Sequence, residues 1–109
     1  MAGLKFDNNK PSLSLIPNKP LLEIARVLDF GSRKYSAHNW REGIEQDRLL
    51  SAALRHIYAN NEGETVDAES GLNHLAHAAC CILFALEEQL RPESYKAFDN
   101  RFDATQLLD

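Results

Sequence analysis

Five residues with metal-binding side chains lie close together near the middle of the chain. They are three carboxylates and two histidines: Glu64, Asp67, Glu69, His74 and His77. Carboxylates on an irregular segment can direct several oxygens at one point, and oxygen ligands with an occasional imidazole suit Mg²⁺ or Mn²⁺. The cluster contains no thiolate, which gives no reason to expect structural zinc. The sequence therefore predicts a divalent-metal site here.

A structural interpretation of each of these residues is also open. Asp67 or Ser70 could be the N-cap of the helix that follows, and Glu69 could be a first-turn acid favoured by the helix dipole. His74 could be a half-buried, hydrogen-bonded histidine. Capping needs one or two such residues, so five together favour a functional site.

A second polar segment, GSRKYSAHNWREG, combines positive charge with aromatic rings. Lys34 and Arg41 offer partners for phosphates, and Tyr35 and Trp40 offer planes on which a base could stack. Asn39 presents both a donor and an acceptor to a base edge. A solvated basic loop is the alternative. The single tryptophan of the chain, placed between Asn39 and Arg41, favours a ligand site.

Apolar periodicity predicts three helices that would position these segments. Apolar residues recur at three- and four-residue steps from Ser70 to about Leu90, which predicts one long helix with His74 and His77 as neighbours beside its core face. A second helix is predicted from Asn18, its N-cap, to Gly31. A third is predicted over DRLLSAALRHIYANN with Asp47 as its N-cap.

The helix over DRLLSAALRHIYANN and the helix that begins at Ser70 should form a hairpin across a loop of about eight residues. This arrangement brings His56 near the acidic segment, and we count His56 among the candidate metal ligands. Arg55, on the same helix, is a candidate phosphate partner.

Both ends of the chain differ from this helical middle. KFDNNKPSLSLIPNKP predicts an extended arm, with Leu13, Leu15 and Ile16 holding it to the core. The tail after Arg91-Pro92 predicts a short helix. No strand-like alternation is present, so we expect an all-α helical bundle forming a single domain over residues 1–109, with a core of about 5–90 and a tail of 91–109.

Composition and charge exclude several classes of protein. The net charge of −4 argues against a nucleic-acid-binding protein, which would be basic over a whole face. No run is long and apolar enough for a membrane span, and the first residues lack the apolar segment of a signal peptide, so we expect a cytoplasmic protein. Residues 1–61 carry nine Lys/Arg against six Asp/Glu, whereas residues 62–109 carry three against ten. Such an asymmetry of charge is what a site needs when the acidic half of the chain binds a metal ion and the basic half binds phosphates.

The adjacent Cys80 and Cys81 fall on a predicted helix, where neighbouring side chains diverge and cannot form a disulfide. We expect them to be small buried residues and not catalytic thiols.

Three strings taken together resemble the small phage and bacterial dATP/dGTP diphosphohydrolases, a MazZ-like group related to the MazG all-α nucleotide pyrophosphohydrolases. They are KFDNNKPSLSLIP, ARVLDFGSRKYSAHNWREG and AALRHIYANNEGETVDAESGLNHLAHAACCILF, which span roughly residues 5–88. The resemblance implies a helical dimer or tetramer in which Mg²⁺ or Mn²⁺ activates water to attack the α-phosphorus of dGTP or dATP. The products would be the deoxynucleoside monophosphate and pyrophosphate, in the control of phage nucleotide pools.

The resemblance also implies roles for individual residues. Metal binding and water activation would fall to an acidic and histidine set: Glu64, Asp67 and Glu69, with His56, His74 and His77 around them. Phosphates would meet Lys34, Arg41 and Arg55, and the base would meet Asn39 and Trp40. The MazG pattern E-x-x-E followed by E-x-x-D matches Glu42/Glu45 and Glu64/Asp67 in letters. Gly43 and Gly63 predict loops at these positions, so we regard the first pair as accidental.

Two other function classes stay open. An HD-type phosphohydrolase also combines helices with histidine and aspartate, but the chain contains no His-Asp dipeptide. A non-catalytic helical module that binds a nucleotide or a protein would explain the hairpin and the small size, although not the polar clusters. The sequence does not distinguish dGTP from dATP, or triphosphates from diphosphates, as the preferred substrate.

Overall fold

The computed structural model describes residues 2–102. It contains four α-helices: α1 (Asn18–Lys34), α2 (Gln46–Asn61), α3 (His74–Leu90) and α4 (Pro92–Tyr95). Three short 3₁₀ helices lie at Leu13–Leu15, Asn39–Glu42 and Lys96–Phe98. Within the described residues the β contacts amount to one isolated bridge between Val66 and Asn73. The all-α prediction is therefore confirmed.

Helix α1 is longer than predicted. Pro17 is its N-cap and Asn18 is its first residue, so the prediction of Asn18 as the cap is wrong. Gly31 does not end the helix, because nothing crowds it and its backbone stays helical. The helix ends at Lys34, and the backbone N–H of Tyr35 donates to the carbonyl of Gly31 over 2.8 Å.

Helix α2 begins one residue before the predicted cap. Glu45 is the N-cap and Asp47 lies in the first turn, so the prediction of Asp47 as the cap is wrong. The backbone N–H of Asp47 instead donates to the side-chain oxygen of Asn100 over 2.9 Å. The helix ends before Gly63, whose φ of +100° reverses the chain, as the sequence predicted.

Helix α3 begins at His74 and not at Ser70. Its N-cap is Asn73, so neither Asp67 nor Ser70 caps it. Residues 66–73 instead form a closed loop, in which the N–H of Asp67 donates to the carbonyl of Leu72 and the N–H of Gly71 donates to that of Asp67, both over 2.8 Å. In a helix starting at Ser70, the N–H of His74 would pair with the carbonyl of Ser70, but it donates instead to the carbonyl of Thr65, and the carbonyl of Leu72 accepts from Asp67. The interhelical connection therefore spans residues 62–73.

Helices α1 and α2 both pack against α3. Helices α2 and α3 run antiparallel, because Gln46 contacts Ala85 while His56 contacts His74. Helix α1 packs on the other side of α3, where Val27 meets Ala76 and Cys80. Leu72 and Phe84 extend this small core. The predicted hairpin is confirmed, but its loop spans residues 62–73 and is longer than the predicted eight or so residues, because α3 begins four residues later than expected.

The N-terminal arm differs from its prediction. Leu13 is 73% exposed, Leu15 is 83% exposed and Ile16 is 48% exposed, so the prediction that they hold the arm to the core is wrong for this chain. The tail does fold back, as α4 and the 3₁₀ helix at Lys96–Phe98. None of the described helices is long and apolar enough to cross a membrane.

Candidate metal and nucleotide site

The loop between α2 and α3 places the acidic residues beside the histidines. Gly63 and Gly71, with φ of +100° and +73°, provide the two sharp changes of direction that the loop needs. The N–H of His74 donates to the carbonyl of Thr65 over 3.0 Å, which ties the first turn of α3 to the start of the loop. Asp67 is thereby held near the ends of both helices.

Ser70 links Asp67 to His77. Its backbone N–H and its hydroxyl both lie 3.0 Å from Oδ2 of Asp67 and donate to it. With that proton committed to Asp67, the hydroxyl oxygen accepts from Nε2 of His77 over 2.7 Å. From the sequence, Ser70 is predicted only as a possible cap.

A second chain of contacts joins Glu64 to both helices. Oε1 of Glu64 lies 3.0 Å from Nε2 of His74, and Nδ1 of His74 lies 2.8 Å from Nδ1 of His56. The ring of His56 stacks on that of His77, with centroids 4.6 Å apart and planes within 10° of parallel. Three histidines from two helices therefore meet at one place.

The chemistry of this cluster fits a divalent metal ion. His56, Asp67 and His74 each offer one ligand atom, and these atoms all lie within 4.8 Å of one another. Two imidazole nitrogens with one carboxylate oxygen are a donor set that suits Mn²⁺ and other first-row transition ions better than Mg²⁺, which prefers oxygen alone. Glu64 is placed to orient His74 from outside the trio, as carboxylates commonly do for metal-bound histidines.

The electrostatics of the cluster favour the forms that bind metal. Burial lowers the pKa of His56, and the nearby His77 and His74 lower it further. Burial also lowers the pKa of His77, against the opposing effect of Asp67. Burial would raise the pKa of Asp67, but the two hydrogen bonds from Ser70, together with the charges of His77 and His56, outweigh it and the pKa is lowered. Neutral imidazole and ionised carboxylate are the states in which these groups ligate metals.

A cleft of about 510 Å³ connects this cluster to the Trp40 segment. Its size lies within the range of small-molecule sites. The lining includes eight of the residues predicted from sequence: Lys34, Tyr35, Asn39, Trp40, His56, Asp67, Glu69 and His77. A ligand in this cleft can therefore touch the metal-binding and the base-stacking candidates at once.

The Trp40 segment is held in a tight turn at the edge of the cleft. His38 adopts the left-handed conformation, with φ of 60°, and a 3₁₀ turn from Asn39 to Glu42 follows it. The indole of Trp40 stacks on Phe84 of α3, with centroids 5.8 Å apart, and the guanidinium of Arg41 lies 5.5 Å from the indole centroid. Among residues 2–102 the side-chain amide of Asn39 has no hydrogen-bond partner, so it is free to meet a ligand.

An exposed ion pair spans the cleft between α1 and the acidic loop. Nζ of Lys34 donates to Oε1 of Glu69 over 2.7 Å, and this hydrogen bond raises the pKa of Lys34. Both side chains are substantially exposed, so the pair contributes little to stability. Lys34 can exchange this carboxylate for an anionic ligand at small cost.

The remaining predicted residues lie outside the cleft lining. Glu64 and His74 are joined to the cleft through His56, since His74 contacts His56 and Glu64 contacts His74. Arg41 and Arg55 are exposed and do not line the cleft. The structure adds two residues that the sequence analysis did not place in the site, Ser70 and Phe84. The stacking of Phe84 on Trp40 joins distant parts of the chain, and no local pattern indicates it.

Comparison with known proteins gives a family and one curated relative. The family model described as "dATP/dGTP diphosphohydrolase, N-terminal" matches residues 1–101. A protein of Salmonella phage PMBT28 named dATP/dGTP diphosphohydrolase is 44% identical over 84 residues, which are 77% of this chain and 29% of the relative. The chain thus spans under a third of the length of that relative. No solved structure matches, and the MazG-like type of bundle stays a prediction.

Proposed function

The chain belongs to the dATP/dGTP diphosphohydrolase N-terminal family, and from this premise we propose that it hydrolyses dGTP or dATP at a divalent metal centre. The products are the deoxynucleoside monophosphate and pyrophosphate. One observation carries the proposal: His56 and Asp67 of the metal-binding cluster line the same cleft as Lys34, Asn39 and Trp40. A nucleotide needs these three environments together, for its phosphates, its metal and its base.

His56, Asp67 and His74 are the residues that would hold the ion, with His77 and Glu64 supporting them through stacking and hydrogen bonding. A bound divalent ion supplies charge neutralisation and lowers the pKa of water, which is most of what phosphoryl transfer requires of a protein. We propose Mn²⁺ in preference to Mg²⁺, because two of the three donors are imidazole nitrogens.

The chain's own residues bind and orient the substrate. Lys34 releases Glu69 and pairs with a phosphate oxygen, which leaves the Glu69 carboxylate free inside the cleft to accept a proton. The purine stacks on the face of Trp40 opposite Phe84, together with or in place of the Arg41 guanidinium, which lies 5.5 Å from the indole centroid. Asn39 offers its free amide to the base edge.

A second candidate function has its own support. The chain spans 29% of its phage relative, and the matching family describes an N-terminal part. The same site would then bind a metal ion and a nucleotide as a module within a larger hydrolase, without turning the substrate over alone.

One experiment separates these functions. The 109-residue chain is incubated with dGTP, dATP, GTP and ATP in the presence of Mn²⁺ or Mg²⁺, and the products are resolved by ion-exchange chromatography. Formation of dGMP or dAMP with pyrophosphate supports the hydrolase. Nucleotide binding by calorimetry without products supports the module, and absence of both binding and products overturns the two candidates.

We also propose that two copies assemble through the face of α2 and α3 that points away from the cleft. At 100° per residue, Leu50 and Leu54 of α2 and Leu75, Ile82 and Leu86 of α3 lie opposite His56, His77 and Phe84 on their helices. Each of these five apolar side chains is between 39% and 55% exposed. The largest fully buried side chain of the described residues is instead a polar one, Gln46.

The face of α2 and α3 is long and broad enough for a stable pair. Two adjacent helices of this length present on the order of 500 Å² per copy, which reaches the lower limit of specific interfaces when two copies meet. A largely apolar face, with Asp47 as its charged residue on α2, can be complementary to itself, which a twofold interface requires. Light scattering should show a dimer or tetramer that the pair of changes Ile82→Glu and Leu86→Glu converts to monomers; a wild-type monomer would contradict the proposal.

A further inference from the structure

The segment after α3 holds the backbone on which the Trp40 turn is built. Three residues of this segment contact residues 41–47: Tyr95, Phe98 and Asn100. We call these three residues the clasp. We propose that the clasp positions Trp40 and Asn39 for the base, which makes it part of the nucleotide site although it lies outside the cleft; this inference rests on the proposed function.

Each clasp residue contacts a different point of the 41–47 backbone. The hydroxyl of Tyr95 donates to the carbonyl of Arg41 over 3.2 Å, and Arg41 directly follows Trp40 in the chain. The ring of Phe98 lies against Gly43 so closely that a Cβ there would overlap it, and Gly43 has a φ of +94°. Only glycine satisfies both conditions at this position.

Asn100 completes the clasp at the start of α2. Its side-chain oxygen accepts from the backbone N–H of Asp47 over 2.9 Å, and its amide nitrogen donates to Oε2 of Glu45 over 3.0 Å. Glu45 is the N-cap residue of α2 but makes no capping hydrogen bond itself. Asn100 therefore satisfies a free N–H of the first turn from outside the helix, a task that an N-cap side chain usually performs.

Helix α3 holds the same backbone from the inner side. Glu88 is 5% exposed, and its carboxylate accepts from the backbone N–H of Ile44 over 2.9 Å and from Nε2 of Gln46 over 3.0 Å. Gln46 in turn accepts from Nε2 of Gln89 over 2.9 Å. The C-terminal end of the Trp40 turn is thus fixed on two sides, by the clasp and by α3.

Within residues 2–102, the N-terminal side of the turn makes no comparable side-chain hydrogen bonds to other elements. Residues 35–39 are exposed, and His38 occupies a left-handed conformation that few residues other than glycine adopt freely. Beyond the stacking of Trp40 on Phe84, the order of the turn therefore depends on its C-terminal side. If the clasp is released, the fraction of molecules with Trp40 in the binding arrangement falls, and the apparent nucleotide affinity falls by the same factor.

The test uses the full chain, whose single tryptophan is Trp40, so that its fluorescence reports the turn directly. The double change Tyr95→Phe and Asn100→Ala removes the clasp hydrogen bonds. The matched control, Tyr58→Phe with Asn61→Ala, alters the same residue types at exposed positions of α2. Measurements are the Trp40 emission spectrum, its quenching by acrylamide, and the affinities for dGTP and for Mn²⁺.

We expect red-shifted and more readily quenched Trp40 emission, and dGTP affinity weaker by about 10-fold, from the loss of a few hydrogen bonds at roughly tenfold per 1.4 kcal/mol. Mn²⁺ affinity should stay unchanged, because the clasp touches none of His56, Asp67 and His74. If the double variant fails to fold, Tyr95→Phe alone removes one hydroxyl and should give a smaller shift in the same direction.

Emission and dGTP affinity equal to those of the control would overturn the clasp, even if the melting temperature fell, because the segment would then be an ordinary structural element. A wild-type chain that binds no nucleotide would overturn the proposed function instead. In that case the fluorescence still decides whether the clasp orders the turn.

Discussion

The Nδ1 atoms of His56 and His74 lie 2.8 Å apart, so in this contact one ring donates and the other accepts. Nε2 of His74 faces the carboxylate of Glu64 at 3.0 Å, and an ionised carboxylate only accepts, so this nitrogen carries the hydrogen. In its neutral form His74 therefore accepts at Nδ1 and His56 donates. Nε2 of His56 is left with its lone pair to bind an ion, whereas Nδ1 of His74 can bind the ion only when the hydrogen bond from His56 is broken.

This network makes the metal prediction specific to Asp67. Asp67→Asn should weaken Mn²⁺ binding and turnover by more than ~100-fold, because even residues outside the ligand set typically cost about 10–100-fold. The helical circular dichroism should be retained, since Asp67 does not cap α3. Glu62→Gln, an exposed change in the same loop, is the control. Mn²⁺ affinity close to wild type would remove Asp67 from the site.

Ser70 should behave as a positioning residue and not as a ligand. Ser70→Ala removes the hydroxyl that joins Asp67 to His77 and keeps the backbone N–H bond to Asp67. We expect Mn²⁺ affinity to fall by about 10–100-fold while kcat at saturating Mn²⁺ changes little. Titration of Ser70→Ala with Mn²⁺ measures this affinity, and Ser12→Ala, a change in the exposed arm, is the reference. An unchanged affinity would show that the link is not needed.

Trp40 should separate base recognition from metal binding. Stacking is worth ~1–3 kcal/mol per base, so Trp40→Ala should weaken purine nucleotide binding by roughly 5- to 150-fold. Mn²⁺ binding should barely change, because indole offers no ligand atom. Trp40→Phe keeps an aromatic face against Phe84 and should lose less affinity. If Trp40→Ala lowers the melting temperature and abolishes nucleotide binding and Mn²⁺ binding together, Trp40 only anchors the turn.

The cysteines should be unreactive in the folded chain. Burial raises the pKa of Cys80 to about 12 and raises the pKa of Cys81. At pH 8 both are therefore thiols, and the reactive thiolate is scarce until the pH approaches the raised pKa or the chain unfolds. Iodoacetamide labelling followed by mass spectrometry, with and without urea, tests this. Rapid labelling of Cys81 in the folded chain, with loss of activity, would indicate a catalytic thiol.

Much of the fold could be read from the sequence because helix periodicity is local. The apolar steps of α1, α2 and α3 predicted three helices and a hairpin, and the hairpin placed His56 beside the acidic loop. Residue types likewise indicated a metal cluster near 64–77 and a base-stacking segment near Trp40. These conclusions need only the side chains of one segment at a time and the regular geometry of a helix.

Only the tertiary structure decided which of these residues meet. The start of α3 moved to His74 because backbone bonds across residues 65–74 occupy groups that a longer helix would need. The stacking of Trp40 on Phe84 and the capping of α2 by Asn100 join residues more than forty positions apart. Such contacts depend on how the helices pack and on turns at positive φ, which local propensity does not determine.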